Sequence, residues 1–282
     1  MQLQHSQPGT LPSTVRLDQD YLREIVDRLS FPRVFSTPEN GKAEELVAEE
    51  LRKILGSSFV VGKTRNVCSG KLEQARFLIG AHYDSVPNTP GADDNASAVA
   101  VMLAVARCVG SRSDVAYVAF NGEECGLVGS HEFVEKMSGD MKRLEQVHVL
   151  EMVGYRDRRP DSQRNPLPIV QTPTTGDFLG IVANHVGLVE QIIRQAGCID
   201  VPVVGLAIPE GMPLAAINQW SPHLLRSDHA CFWEKNIPAV MWTDTSEFRN
   251  PHYHQPTDTP DTLDYEFMAE VGKLLASVVC QG

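Results

Sequence analysis

The chain has 282 residues, 42% hydrophobic and 22% charged, with 21 glycines, 18 prolines and a formal net charge of −11. That composition excludes disorder, collagen and a cysteine-stapled miniprotein, and allows one large domain or two small ones around a sizeable core. An acidic balance of this size argues against a nucleic-acid binder, which needs a basic footprint.

Residues 1–14, MQLQHSQPGTLPST, have neither a basic start nor an apolar run. They predict a flexible arm without a visible signal peptide. The cytoplasm is the default compartment, and secretion or the periplasm applies if a leader has been removed. Helices are predicted over residues 21–29 and 41–55. In the second, Ala43, Leu46, Val47, Leu51, Ile54 and Leu55 form one stripe at helical spacing. Residues 59–61 start a short strand.

Three apolar runs then share a habit. Residues 77–81 lead into His82-Tyr83-Asp84, residues 115–120 into Asn121-Gly122-Glu123-Glu124, and residues 147–150 into Glu151. Each reads as a buried strand that delivers polar residues at its C-terminal end. Helices are predicted between them, over 96–109 and 129–137. The nearly apolar run 96–109 is too short to cross a bilayer, so no membrane insertion is expected. Strands alternating with helices imply an α/β sheet covered on both faces, with ligands bound beyond the strand ends.

Residues 155–173, YRDRRPDSQRNPLPIVQTP, lack periodicity and read as a surface loop at the site rim. Residues 177–196 are expected to be helical, and 201–207 and 239–242 to be strands. Ser227-Asp228 is expected to cap a helix through Glu234. The last helix is placed at 263–280, capped by Asp261 or Thr262. No linker divides the chain, so a single domain over 1–282 is preferred. The six cysteines form no CxxC pair, and several sit in apolar runs as buried thiols.

His82, Asp94, Glu123, Glu124, Glu151 and His254 form the chemical core of this reading. Taken singly, each has a plainer role: a hydrogen-bonded histidine, a solvated glutamate pair, or a turn at Gly91-Ala92-Asp93-Asp94-Asn95. Taken together at one sheet edge, carboxylates and imidazoles repel or desolvate one another unless a cation neutralises them. Zinc accepts both ligand types, and two imidazoles with several carboxylates suit two metals better than one structural ion. In His82-x-Asp84, alternation along a strand puts both residues on one face. Asp84 could then accept a hydrogen bond from the free ring nitrogen and fix the imidazole.

The segments GAHYDSV, PGADDNASAVAVML, VAFNGEECGLVGSHEF, LEMVGY, RSDHACFW and NPHYHQPTDTPDTLDYEFM together resemble the M28 family of zinc-dependent exopeptidases, of the bacterial leucyl-aminopeptidase type. The likeness runs from about residue 46 to the C-terminus. It implies a single α/β domain with a mixed sheet of about eight strands between helices, and two zinc ions per chain. His82 resembles the histidine on one zinc, Asp94 the bridging carboxylate, and Glu124 and His254 the ligands of the other. Glu151 stands where the best-known aminopeptidases have Asp and would complete the first zinc.

Glu123 resembles the general base that activates a metal-bridging water and shuttles its proton to the leaving amine. Asp84 is similar to the aspartate behind the histidine, and Tyr253 to an oxyanion-stabilising tyrosine. The resemblance also implies a cis peptide at Asp94–Asn95. The expected substrate is a peptide with a free N-terminus. Glu151 and Asp228 are candidates to receive its amine, and Phe248 with the 155–173 loop to line its side-chain pocket. The sequence does not indicate an oligomeric state or the preferred residue, and Co or Mn could replace zinc.

Other readings remain open at this point. A carboxypeptidase or other amide hydrolase on the same scaffold would need a cation such as Arg226, Arg249 or a loop arginine. A glutaminyl cyclase usually goes with one zinc. A catalytically silent binding protein would be expected to have lost a ligand. Neither GxGxxG nor GxSxG is present, which disfavours dinucleotide binding and serine hydrolysis.

Overall fold

The computed structural model describes residues 3–11, 14–167, 170–209 and 211–281. Nine strands form one sheet among them: β1 (Leu3–His5), β2 (Phe59–Val61), β3 (Asn66–Ser69), β4 (Phe77–His82), β5 (Val115–Phe120), β6 (Gln146–Glu151), β7 (Leu179–Ala183), β8 (Val203–Ala207) and β9 (Ala239–Thr243). Their spatial order is β1-β8-β7-β9-β6-β4-β5-β3-β2. The centre, β9-β6-β4-β5, is parallel, as is the β7–β8 pair. The joints β7–β9, β1–β8, β3–β5 and β2–β3 are antiparallel.

Helices cover both faces, as expected of strands buried on both sides. One face carries α1 (Gln19–Leu29), α2 (Pro38–Leu55), α3 (Ala98–Val109), α5 (Val186–Gln195) and α8 (Tyr265–Gln281). The other carries α4 (Val128–Met137), α6 (Leu214–Trp220) and α7 (His229–Trp233). Helix α3 is buried at every residue from Ala98 to Ala106, because it lies between the sheet and the pair α1 and α8. Helix α2 starts with Pro38 after its Thr37 cap, whose side chain accepts from the Asn40 N–H, and stops at the left-handed Gly56.

Several sequence expectations are corrected. Residues 177–196 do not form one helix: Leu179–Ala183 is a strand, and only Val186–Gln195 is helical. The apolar run LGIVA suits a strand buried between β8 and β9, and tertiary pairing decided its conformation. The N-terminal residues are not a free arm. Leu3–His5 pairs with β8, and the Gly9 and Leu11 N–H groups donate to Ile199 and Gly197 carbonyls. An exposed sheet edge offers unpaired backbone groups, and this segment satisfies them. Residues 1, 2, 12 and 13 of the expected arm, and 168 and 169 of the expected loop, lie outside the described residues.

Strand β3 and helix α6 had no sequence reading. The last helix is capped by Asp264, whose Oδ1 accepts the Phe267 N–H at 3.0 Å, and not by Asp261 or Thr262. Asp228 precedes α7, but its side chain makes no capping hydrogen bond.

Candidate active site

His82 is the last residue of β4 and Glu151 the last of β6, so two adjacent parallel strands end in potential ligands. Strand β5, on the other side of β4, ends at Phe120 and releases the chain into Asn121-Gly122-Glu123-Glu124. Asp94 lies in the turn before α3, and the Asp94–Asn95 peptide is cis. His254 comes from the loop before α8. Its φ is 56°, in the left-handed region.

These side chains converge. One oxygen of Asp94 lies 3.3 Å from His82 Nε2, and the other lies 3.1 Å from His254 Nε2. His254 Nε2 is 3.4 Å from Glu124 Oε2, and His82 Nε2 is 3.6 Å from Glu151 Oε2. Ligand atoms of His82, Glu123 and Glu151 lie within 4.8 Å of one another, and so do those of His82, Asp94 and Glu124. Asp84 Oδ1 sits 3.4 Å behind His82 Nδ1. Its two oxygens also accept the Glu123 and Glu124 N–H groups at 3.2 and 3.3 Å. One aspartate thus supports both the imidazole and the turn that separates the two glutamates.

The electrostatics are those of acids crowded in a dry place. Burial raises Glu123 well above the ordinary carboxylate range; Glu151, Asp228 and Glu124 reinforce the shift, and His82 opposes it. Burial and Asp94 push Glu124 up to about 7. Burial would lower His82, but Glu123, Glu151, Asp84 and Asp94 outweigh it and raise it well above normal. Burial would likewise raise Asp94, but the His254 and His82 rings hold it below the usual carboxylate range. Both His82 ring nitrogens, Asp94 Oδ1 and Glu124 Oε1 are buried without a hydrogen-bond partner. A set of oxygen and imidazole donors, buried and left unpaired, fits divalent metal ions.

A cleft opens beside this cluster, lined by Asp94, Glu123, Glu124, Glu151, Tyr253 and His254 among others. The Tyr253 ring stacks on His254 at 3.8 Å between centroids. Its hydroxyl accepts from Arg226 Nη2 at 3.3 Å, and burial raises its pKa. Arg226 in turn pairs with Glu247 at 2.8 Å. Phe248 lines the cleft and meets His223 edge-on at 4.8 Å. Asp228 is placed differently from its expected role. It is fully buried and absent from the cleft lining, with its pKa pushed up to about 7 by burial. Both of its carboxylate oxygens are buried without a hydrogen-bond partner, and its charge reinforces the upward shift of Glu123.

Of the cations considered for a substrate carboxylate, Arg249 is buried and not among the cleft-lining residues; it donates to Gln163 Oε1 and the Tyr155 carbonyl, with Nη2 left without a partner. The rim loop is tied down: Arg164 N–H donates to the Phe248 carbonyl, and Gln163 Oε1 accepts from Thr245 Oγ1.

Sequence reasoning missed the supporting layer. Ser227 Oγ donates to Glu151 Oε2 at 2.7 Å. Asp258 accepts the Asp93 and Asp94 N–H groups. Asn95 joins the turn to β6, donating to the Leu150 carbonyl and accepting from Met152 N–H. Arg33, fully buried, donates to the carbonyls of Tyr83, Pro90 and Gly91, which lie between His82 and Asp94. Only Asp93, Asn95 and Ser227 carried a signal, as turn and cap residues beside the motif aspartates.

A family model described as peptidase family M28 matches residues 60–187 and 212–279. The chain is 31% identical over 293 residues to the uncharacterized protein YfbL of Escherichia coli, covering 95% of this chain and 86% of that one. A zinc aminopeptidase from Bacillus subtilis superposes with a TM-score of 0.55 at 26% identity, over 77% of this chain and 49% of its own. The LapA aminopeptidase of Legionella pneumophila gives a TM-score of 0.72 at 19% identity, over 94% and 72%. A glutaminyl cyclase of Porphyromonas gingivalis gives 0.66 at 18%, over 94% and 99%. The last two likenesses concern the fold alone.

Proposed function

The chain belongs to the peptidase M28 family, and from that premise we propose that it is an aminopeptidase built around two zinc ions. The observation that carries this reading is the division of Asp94, one oxygen toward His82 and the other toward His254. A carboxylate shared in this way suits a bridge between two cations. His82 and Glu151 would hold one metal, and Glu124 and His254 the other. When bound, the pair would polarise the scissile carbonyl and lower the pKa of a water.

The remaining chemistry belongs to side chains. Glu123 lies at the cleft with its carboxyl raised by burial, so it can hold a proton in transit. It would take the proton of the attacking water and return it to the leaving amine. Arg226 donates to the Tyr253 oxygen, which leaves the phenolic hydrogen free to stabilise the oxyanion. Glu151, lining the cleft, is the carboxylate that would receive the substrate's α-amine. With Arg226 neutralised by Glu247 and Arg249 buried, no free cation for a substrate carboxylate is found among the cleft-lining residues described, which disfavours the carboxypeptidase alternative.

Glu123→Gln should bind two metals per chain and lose about 10²–10⁴ in kcat. Glu124→Ala should lose metal as well as turnover. Calorimetric zinc titration beside leucine p-nitroanilide hydrolysis separates the two roles. Near-normal turnover by Glu123→Gln would overturn the assignment.

A further inference from the structure

The cleft does not end at the carboxylates. Its lining continues across one face of the sheet through Thr243, Gly180, Met241, Val182, Leu206 and Leu3. Strand register makes this a continuous path: Glu151 pairs with Thr243, Thr243 with Gly180, Met241 with Val182, Val182 with Leu206, and Leu206 with Leu3. Four interstrand steps separate β6 from β1. At about 4.8 Å each, they carry the trough roughly 19 Å from Glu151. A phenylalanine or methionine side chain spans little more than one such step. The trough is therefore longer than any protein side chain needs.

Its walls also select the occupant. The floor strands β7, β8 and β9 are interior to the sheet, and their backbone groups are engaged in the ladders. A peptide lying along this floor would find no free strand backbone for its amides, since the polar lining residues Thr172, His223, Arg226, Thr245, Ser246 and Glu247 come from segments outside these strands. An alkyl chain has no such requirement. Leu167, Leu224 and Phe248 contribute further apolar walls. At Gly180 the floor has no side chain, and an added Cβ would approach the Thr243 carbonyl to 3.2 Å. Leu3, the lining residue farthest from Glu151 along this path, is there because the N-terminal strand pairs with the sheet edge.

We propose that the trough receives a long, unbranched apolar chain on the acyl side of the scissile amide, so that the preferred N-terminal residue bears an alkyl group longer than any standard side chain. The proposal rests on the aminopeptidase reading above. The reaction is unchanged: the amide C–N bond breaks, water adds its oxygen to the acyl carbon, and the proton leaves with the amine.

The test uses the zinc-loaded full chain and a homologous series of 2-aminoalkanoyl p-nitroanilides, from norvaline and norleucine through the decanoic and dodecanoic members, with leucine alongside. Expected is a kcat/KM that rises about fourfold per added methylene beyond norleucine. Leu3→Trp should cost the longest members at least about tenfold and leave leucine and norvaline unchanged, since residue 3 stands four strands from Glu151. A maximum at leucine or norleucine, or a Leu3→Trp effect equal on all members, overturns the trough assignment and leaves the aminopeptidase reading standing. No turnover of any member, leucine included, overturns both.

Discussion

Arg33 shows how a single residue can organise the site without touching substrate. It is fully buried with no carboxylate in hydrogen-bond contact, and its guanidinium is spent on the carbonyls of Leu29, Phe31, Tyr83, Pro90 and Gly91. The segment it grips runs between His82 and Asp94, so it sets the distance between two proposed ligands. Arg33→Met would leave those carbonyls unpaired in a dry interior, and we expect a loss of about 3–5 kcal/mol by denaturant unfolding. Zinc affinity should fall as well, measured by titration at a temperature where the variant remains folded. At this scale the sequence was informative where a residue carries its own chemistry. His82, Asp94, Glu124, Glu151 and His254 drew attention as ligand types at strand ends and loops. Arg33 did not, because an arginine among loop residues reads as solvated until its burial is known.

Elements position these residues by ending at the right row. The parallel strands β4 and β6 stop at His82 and Glu151, and the turn after β5 is held against α4. There Gly129 lies so close to Asn121 that an added Cβ would sit 2.1 Å from the Asn121 carbonyl. Gly129→Ala must therefore move backbone, and we expect a destabilisation of about 1–3 kcal/mol or more, read as a lowered Tm. Turnover should fall with it, since Asn121 opens the segment that carries Glu123. The three central strands were legible because fully buried strands read as apolar runs. The misreading of 177–196 has the same origin: an apolar run followed by an amphipathic one has no internal mark of its own pairing, and strand and helix are separated only by neighbours. Asn66–Ser69 was too short and mixed to announce β3, which forms through its pairing with β5.

Over the whole molecule, the accumulation of buried acids implies that metal binding supports folding. A ligand that binds only the native state adds stability in proportion to the logarithm of its concentration over Kd, about 4 kcal/mol at a thousandfold excess. Chelation should therefore lower Tm, and readdition of zinc should restore it. A second whole-molecule property is acid sensitivity away from the site. Burial depresses His148 to about 3 and His229 to about 4. Their native forms stay neutral while the unfolded chain takes up protons below about pH 6.5. Their contribution is thus complete above that pH and is lost as pH falls toward the native values, at about 1.4 kcal/mol per unit for each histidine. Comparing unfolding of the zinc-loaded parent with His148→Gln at about pH 7 and about pH 5 should show a shallower decline in the variant. Glutamine retains an acceptor for Trp242 Nε1, which donates to His148 Nδ1 at 3.2 Å.

The amino-acid sequence determined the α/β class, the alternation of buried strands and helices, and the donors from which a metal site could be assembled. These depend on local pattern and on the chemistry of individual side chains, both of which a linear chain displays. The three-dimensional fold decided which face of the sheet becomes a cleft, how far it runs, and that the first strand contributes to its lining. It also buried Asp228 behind the cluster and enclosed Arg33 among carbonyls. Such features depend on pairings between residues far apart in the chain, as between Leu3 and Leu206. No local pattern records a pairing whose free energy exists only once both partners are in place.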